Sequence, residues 1–100
     1  MLPKRNRLGA AEVRRTLKEG KTLRTPNLAL KHAEGGGSGA AVVVSKKVAR
    51  TAVRRNTIRR AIYRAIPHPL PPHTSLVFLV QKNSADYTGD IKTLCSKLFS

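Results

Sequence analysis

From Ser45 to Ile66 the chain reads SKKVARTAVRRNTIRRAIYRAI, with eight Lys or Arg between Lys46 and Arg64 and no acid. Six of the eight are Arg, whose planar fork of donors stays charged and can hold two oxygens of one anion. The nearest acids are Glu34 and Asp86, so the field is not cancelled locally. A helix face kept merely for solubility mixes its signs. A one-signed face repels itself, and an anionic partner relieves the repulsion. These residues therefore point to binding of polyphosphate. The candidate contacts are Lys46, Lys47, Arg50, Arg54, Arg55, Asn56, Arg59, Arg60 and Arg64. Asn56 adds an acceptor that Lys and Arg lack.

Bond-making chemistry is harder to place. The acids are scattered, and no Ser/His/Asp set can be assembled, so no catalytic residue is assigned. His32, His68 and His73 have no Cys or acid at ligand spacing, so no metal site is expected. Cys95 sits in an apolar stripe and reads as a small core residue. The glycine-rich EGGGSG of residues 34–39 lacks the GK[ST] ending and following helix of a phosphate loop.

The basic stretch needs elements to hold it. Ile58, Ile62 and Ile66 recur every four residues, which stacks them on one side of a helix. Arg50, Arg54, Thr57, Ala61 and Arg64 are expected roughly opposite, with Arg55 and Arg59 nearer the isoleucines, where a structural role for one of them is open. Thr51 is the expected N-cap, with Lys46, Lys47 and Arg50 in the loop before it. Pro67 marks the end, and PHPLPP over residues 67–72 reads as a stiff linker.

Ala10 to Glu19 reads as a helix with Ala10, Val13 and Leu17 on one face, closed by Gly20 in a left-handed cap. LALKHA, residues 28–33, alternates as a half-buried strand does, with Pro26 at an edge or bend before it. The segment EGGGSG is a hairpin connection, and Ala40 to Val44 is a well-buried strand. Ser75 to Gln81 is the clearest strand. Tyr87 to Phe99 follows as an amphipathic helix with Ile91, Leu94, Cys95, Leu98 and Phe99 on one face, capped by Thr88 or Ser84. The order is helix, strand, strand, helix, strand, helix: an α+β sandwich of a small sheet and packed helices.

Composition agrees with that reading. Residues 1–100 are expected to form one RNA-binding domain with a modest core. Twenty Lys/Arg against five Asp/Glu give a formal charge of +15, for which nucleic acid is the leading partner class. An anionic membrane would need large apolar anchors that the core already uses, so no membrane partner is expected. One cysteine, with no signal peptide or long apolar run, suits a reducing cytoplasm.

Ser45-Lys46-Lys47 followed by Arg55-Asn56-Thr57-Ile58-Arg59-Arg60 resembles the signature of the bacterial ribonuclease P protein subunit. Leu2-Pro3-Lys4-Arg5-Asn6-Arg7-Leu8 is similar to the usual opening of that family, and the order of elements matches over nearly the whole chain. One signature position departs: Thr57 stands where the family has Arg, removing a cation and leaving a hydroxyl. The resemblance implies a further short strand, giving a two-layer α-β-β-β-α-β-α sandwich with a mixed sheet and a left-handed β-α-β crossover, the fold of ribosomal protein S5 domain 2.

The resemblance also implies a role. This chain is expected to bind a catalytic RNA, which carries the magnesium ions and cleaves precursor tRNA to give its mature 5′ end. The protein is an accessory subunit, with no cofactor held by its side chains alone and no obligate protein partner. An N-terminal arm would bring Lys4, Arg5 and Arg7 to phosphate. A cleft between the first helix and the sheet, lined by Val13, Leu17, Leu28, Leu30 and Lys31, would take the single-stranded 5′ leader. Val13 and Leu17 replace aromatic residues that stack on bases in the family. The rivals are a ribosomal-protein-like RNA-binding module without a processing role, and a nuclease acting alone.

Overall fold

The computed structural model describes residues 8–34, 39–66, 73–84 and 86–99. Its elements are α1 (Ala10–Glu19), β1 (Lys21–Arg24), β2 (Leu28–Glu34), β3 (Gly39–Val44), α2 (Ala52–Ala65), β4 (Thr74–Val80) and α3 (Thr88–Phe99). The arm residues Lys4, Arg5 and Arg7, the proline linker with His68, most of the glycine hairpin and the Phe99 side chain lie outside the described residues.

The strands form one sheet in the order β1-β2-β4-β3. β1 with β2 and β2 with β4 are antiparallel, while β3 and β4 run parallel, so α2 is the crossover of a β-α-β unit. The short additional strand is β1. Pro26 falls in the turn between β1 and β2, where Thr25 Oγ1 and its backbone N–H both donate to the Leu28 carbonyl.

Register divides the sheet into two faces. Leu28 pairs with Val80, Leu30 with Phe78, Ala40 with Leu76, Val42 with Phe78 and Val44 with Val80, so these side chains share a face. They form one core with Ile58, Ile62 and Ile66 after and along α2 and with Ile91, Leu94 and Cys95 of α3. The isoleucine spacing is thus what docks α2. At its start, Thr51 Oγ1 accepts the Arg54 backbone N–H at 3.1 Å, as the cap requires.

α1 lies on the other face. Glu12 Oε2 accepts from Ser75 Oγ at 3.2 Å, and Lys31 Nζ donates to the Leu17 carbonyl at 3.0 Å. Ser75 and Lys31 alternate with the core-facing Leu76 and Leu30, which places α1 across from α2 and α3. Small residues on that face, Ala33, Ala41 and Gly39, leave room for a helix backbone.

The outer helices differ from expectation in three ways. The centre of the α1 contact is Thr16, fully buried, with its hydroxyl donated to the Glu12 carbonyl at 2.8 Å; Ala10 is exposed. A hydroxyl satisfied within its own helix can be buried, so polarity was a poor guide here. Gly20 has φ −72°, so no left-handed cap exists. Its lack of a side chain matters for another reason: a Cβ there would stand 2.5 Å from the Thr16 carbonyl oxygen and 3.0 Å from that of His32. At α3 the first N–H, from Thr88, goes to Asp86 Oδ1 at 2.9 Å, while Ser84 Oγ donates to the Asp86 carbonyl. The Thr88 backbone N–H, more than any other contact, holds the Asp86 carboxyl below its ordinary pKa.

Candidate nucleic-acid interface

Packing decides which cations of the basic stretch face solvent. With Ile58 and Ile62 buried, the outward stripe of α2 consists of Val53, Asn56, Thr57, Arg60, Ala61 and Arg64, all exposed. Val53 is an apolar residue 77% exposed among cations. Lys46, Lys47 and Arg50 are also exposed, in the turn before the helix. Among the described residues no side-chain hydrogen bond or ion pair ties the charged groups of Lys46, Lys47, Arg50, Arg60 and Arg64 to protein.

Four predicted contacts behave differently. Arg54, expected on the outward face, is half-buried; Nη2 donates to Asn83 Oδ1 at 2.7 Å and to the Ser84 carbonyl at 3.3 Å. It sits about 80° from the centre of the buried stripe and leans onto the β4–α3 loop. Arg55 Nη1 donates to the carbonyls of Ala49 and Arg50 at 3.0 and 3.1 Å. Arg59 Nη1 donates to Asn56 Oδ1 at 2.7 Å, so these two act as a pair. All three arginines bind neutral acceptors, and their charge remains. Thr57 donates its hydroxyl to the Val53 carbonyl at 2.9 Å, which turns the departing signature residue back onto its own helix.

Among the described residues no acid is paired with the cations of this surface. Glu12 and Glu19 flank Arg15 on α1 at 3.2 and 3.3 Å. The Arg15 hydrogen bond is the leading cause that lowers the Glu12 pKa. Asp90 accepts from Asn27 Nδ2 at 3.1 Å, tying α3 to the β1–β2 turn. Among the described residues no three His, Cys, Asp or Glu side chains are grouped to hold a metal. Burial raises the Cys95 thiol pKa, which suits a core residue rather than a nucleophile. No helix among the described residues is long and apolar enough to cross a membrane.

The expected cleft is rearranged by the sheet. Leu28 and Leu30 are fully buried against α2 and α3, so they cannot line a cleft on the α1 face. The pleat puts their neighbours there instead. Arg24 pairs with Ala29, Ala29 with Leu79, and Leu79 with Val43, which makes one row across all four strands on the α1 side. Val43 is 38% exposed and Leu79 half-buried. A groove of about 290 Å³ lined by Val43, Ser45, Lys47, Val48, Leu79 and Gln81 opens at one end of the row.

α1 crosses the sheet below this row. Its Arg15–Glu19 flank borders a second groove with Lys21, His32 and Glu34. The Val13–Leu17 flank, both residues half-buried, is therefore turned toward Arg24, Ala29, Leu79 and Val43. Lys31 is at the junction, its ammonium held against the C-terminal turn of α1, where the helix dipole favours a cation. The structure thus brings Val13, Leu17 and Lys31 together, drops Leu28 and Leu30, and adds Arg24, Val43, Leu79 and, from the basic turn, Lys47. For Arg24 the signal was its alternation with Leu23, which packs against the core. For Val43 and Leu79 there was none, because unbroken apolar runs do not show which face is which.

A mixed sheet with an acid-free basic helix on one face and an open aliphatic row on the other defines a small RNA-binding protein that carries no metal cage of its own among the described residues. The family model for ribonuclease P matches residues 2–99, and the chain belongs to that family as a bacterial ribonuclease P protein component. The chain is similar to the Staphylococcus aureus RNase P protein (22% identity, TM-score 0.65, covering 90% of this chain and 84% of that one). It is also similar to a mutant of that protein with defective mRNA degradation activity (21%, TM-score 0.71, 96% and 86%). The RNase P protein of Thermotoga maritima aligns at 20% identity with a TM-score of 0.61, over 93% of this chain and 91% of the other. No curated protein sequence matches significantly.

Proposed function

We propose that the chain binds the catalytic RNA of ribonuclease P through Lys46, Lys47, Arg50, Arg60 and Arg64, and grips the 5′ leader of precursor tRNA in the cleft on the α1 face. The observation that carries this is the division of α2: isoleucines buried on one side, arginines without acidic partners on the other. Phosphate contacts release counterions and position the protein on RNA without reading sequence. The Asn56–Arg59 pair contributes both a donor and an acceptor, which suits 2′-hydroxyls as well as phosphates.

In the cleft the described side chains are aliphatic, cationic or, at Ser45 and Gln81, neutral and polar, and none is aromatic. Aromatic stacking would give about 1–3 kcal/mol per base; Val13, Leu17, Val43 and Leu79 give apolar contact only. Leader affinity then rests mainly on Arg24, Lys31 and Lys47, which approach the backbone. Magnesium belongs to the RNA, and the protein's contribution is to neutralise phosphate and hold substrate in the cytoplasmic ribonucleoprotein.

The test combines purified protein, a bacterial ribonuclease P RNA and precursor tRNA at low magnesium. Stimulated cleavage supports the proposal. RNA binding without stimulation favours a ribosomal-protein-like module, and cleavage without added RNA favours a nuclease acting alone.

A further inference from the structure

Arg55 is the first arginine of the Arg-Asn-Thr segment, yet its guanidinium points back along the chain rather than outward. Nη1 bridges the carbonyls of Ala49 and Arg50 at 3.0 and 3.1 Å. Those two carbonyls end the turn that presents Lys46, Lys47 and Arg50, all exposed. The turn has few other ties. Val48 and Ala49 N–H both donate to the Ser45 carbonyl at 3.2 Å, and Ala49 is 3% exposed, tucked into the core beside half-buried Val48. A buried carbonyl must find a donor. Helix α2 starts only at Ala52, so it supplies none for Ala49 through its own ladder.

From this arrangement we propose that Arg55 is a positioning residue: it fixes the Ser45–Arg50 turn so that Lys46, Lys47 and Arg50 meet the RNA as a set. It acts through the turn and not by touching phosphate itself. A lysine at this position keeps the charge but is shorter and lacks the planar Nη1 amino group whose two N–H bonds meet the two carbonyls. This inference rests on the proposed RNA-binding role of the basic turn, but one of its consequences does not need RNA at all.

The experiment uses the full chain and a bacterial ribonuclease P RNA, with Arg55→Lys, Arg55→Gln and the triple variant Lys46→Ala/Lys47→Ala/Arg50→Ala. Thermal melting establishes that each is folded. Each phosphate contact contributes about 0.7–0.9 to the slope of log K against log salt. Positioning predicts that Arg55→Lys and Arg55→Gln each lower the slope by about 2, more than one contact's worth. Adding Arg55→Gln to the triple variant then changes affinity less than twofold. In the free protein, hydrogen exchange at the Val48 and Ala49 amides accelerates at least tenfold in both single variants, while Ile62 is unchanged. A direct contact predicts the opposite pattern: Arg55→Lys close to wild type, Arg55→Gln lower by one contact, full additivity with the triple variant and no change in exchange. Any of these last results overturns the proposal. If instead the wild type shows no salt-dependent binding, the RNA-binding role fails with it, whereas an exchange result alone at odds with expectation rejects only the role of Arg55.

Discussion

A cation with unoccupied donors can meet phosphate directly, and this sorts the arginines one by one. Arg60 and Arg64 lie on the exposed stripe with Thr57, three and seven residues on from it. Thr57→Arg therefore places a third guanidinium in line. It should steepen the salt dependence of RNA binding by about 0.7–0.9 in the log–log slope, and Arg60→Ala should flatten it by the same amount. Titration of binding between 50 and 200 mM salt checks both. Arg54→Ala is expected to act mainly on the β4–α3 loop, since its Nη2 is held by Asn83 and Ser84. Gly20→Ala forces a Cβ to within 2.5 Å of a backbone oxygen, and overpacking of this kind costs about 1–3 kcal/mol, readable by urea denaturation. His32 adds a pH effect. Burial first, then Lys21, lowers its pKa, so the unfolded chain takes up the proton at higher pH than the folded one. Stability should be full above the ordinary His value, near 6.5, and fall as pH drops through it. His32→Gln should flatten denaturation midpoints between pH 7 and 5.

Elements were legible where a period repeats and a breaker ends it. The spacing of Ile58, Ile62 and Ile66 yielded both the helix and its buried side, and Thr51 its first turn. What the spacing could not yield was the direction of the long side chains at its edges. Arg54 and Arg55 are each long enough to reach a loop, and the loop carbonyls that attract them are placed by tertiary structure. Strand faces were half legible: alternation in LALKHA separates Leu28 and Leu30 from Ala29 and Lys31, but which set meets α1 depends on where the other helices pack. Of the expected cleft residues, Leu28 and Leu30 therefore lie on the core face instead. The corrected cleft makes a prediction of its own. Val43 is on an edge strand, part exposed, in the row with Leu79 and Ala29. Val43→Tyr supplies a ring where the cleft has only aliphatics. It should tighten binding of a single-stranded 5′ leader by about 1–3 kcal/mol, roughly five- to 150-fold, with little change in affinity for the catalytic RNA. Comparing precursor and mature tRNA affinities separates the two effects; a gain for both would place Val43 outside the leader path.

For the whole molecule the governing quantity is a formal charge of +15 on one hundred residues. The charge is unevenly spread: the two acids of α1 are spent on Arg15, and none falls between Glu34 and Asp86. Folding gathers Lys46, Lys47, Arg50, Arg60 and Arg64 on or beside one helix, and their mutual repulsion opposes the compact state. The sheet core, built from Leu28, Leu30, Phe78 and the α2 isoleucines, must offset that repulsion when no RNA is bound. Anions that bind the folded surface better than the extended chain then stabilise it by mass action. Sulfate or phosphate should raise the melting temperature of the free protein more than chloride at equal ionic strength, since simple screening depends on ionic strength alone. In the Lys46→Ala/Lys47→Ala/Arg50→Ala variant the melting temperature without added anion should rise, and the extra benefit of sulfate over chloride should shrink. An equal response to the two salts in both proteins would mean that the cations are too far apart to share an anion, and that the basic surface is a diffuse field rather than a set of phosphate sites.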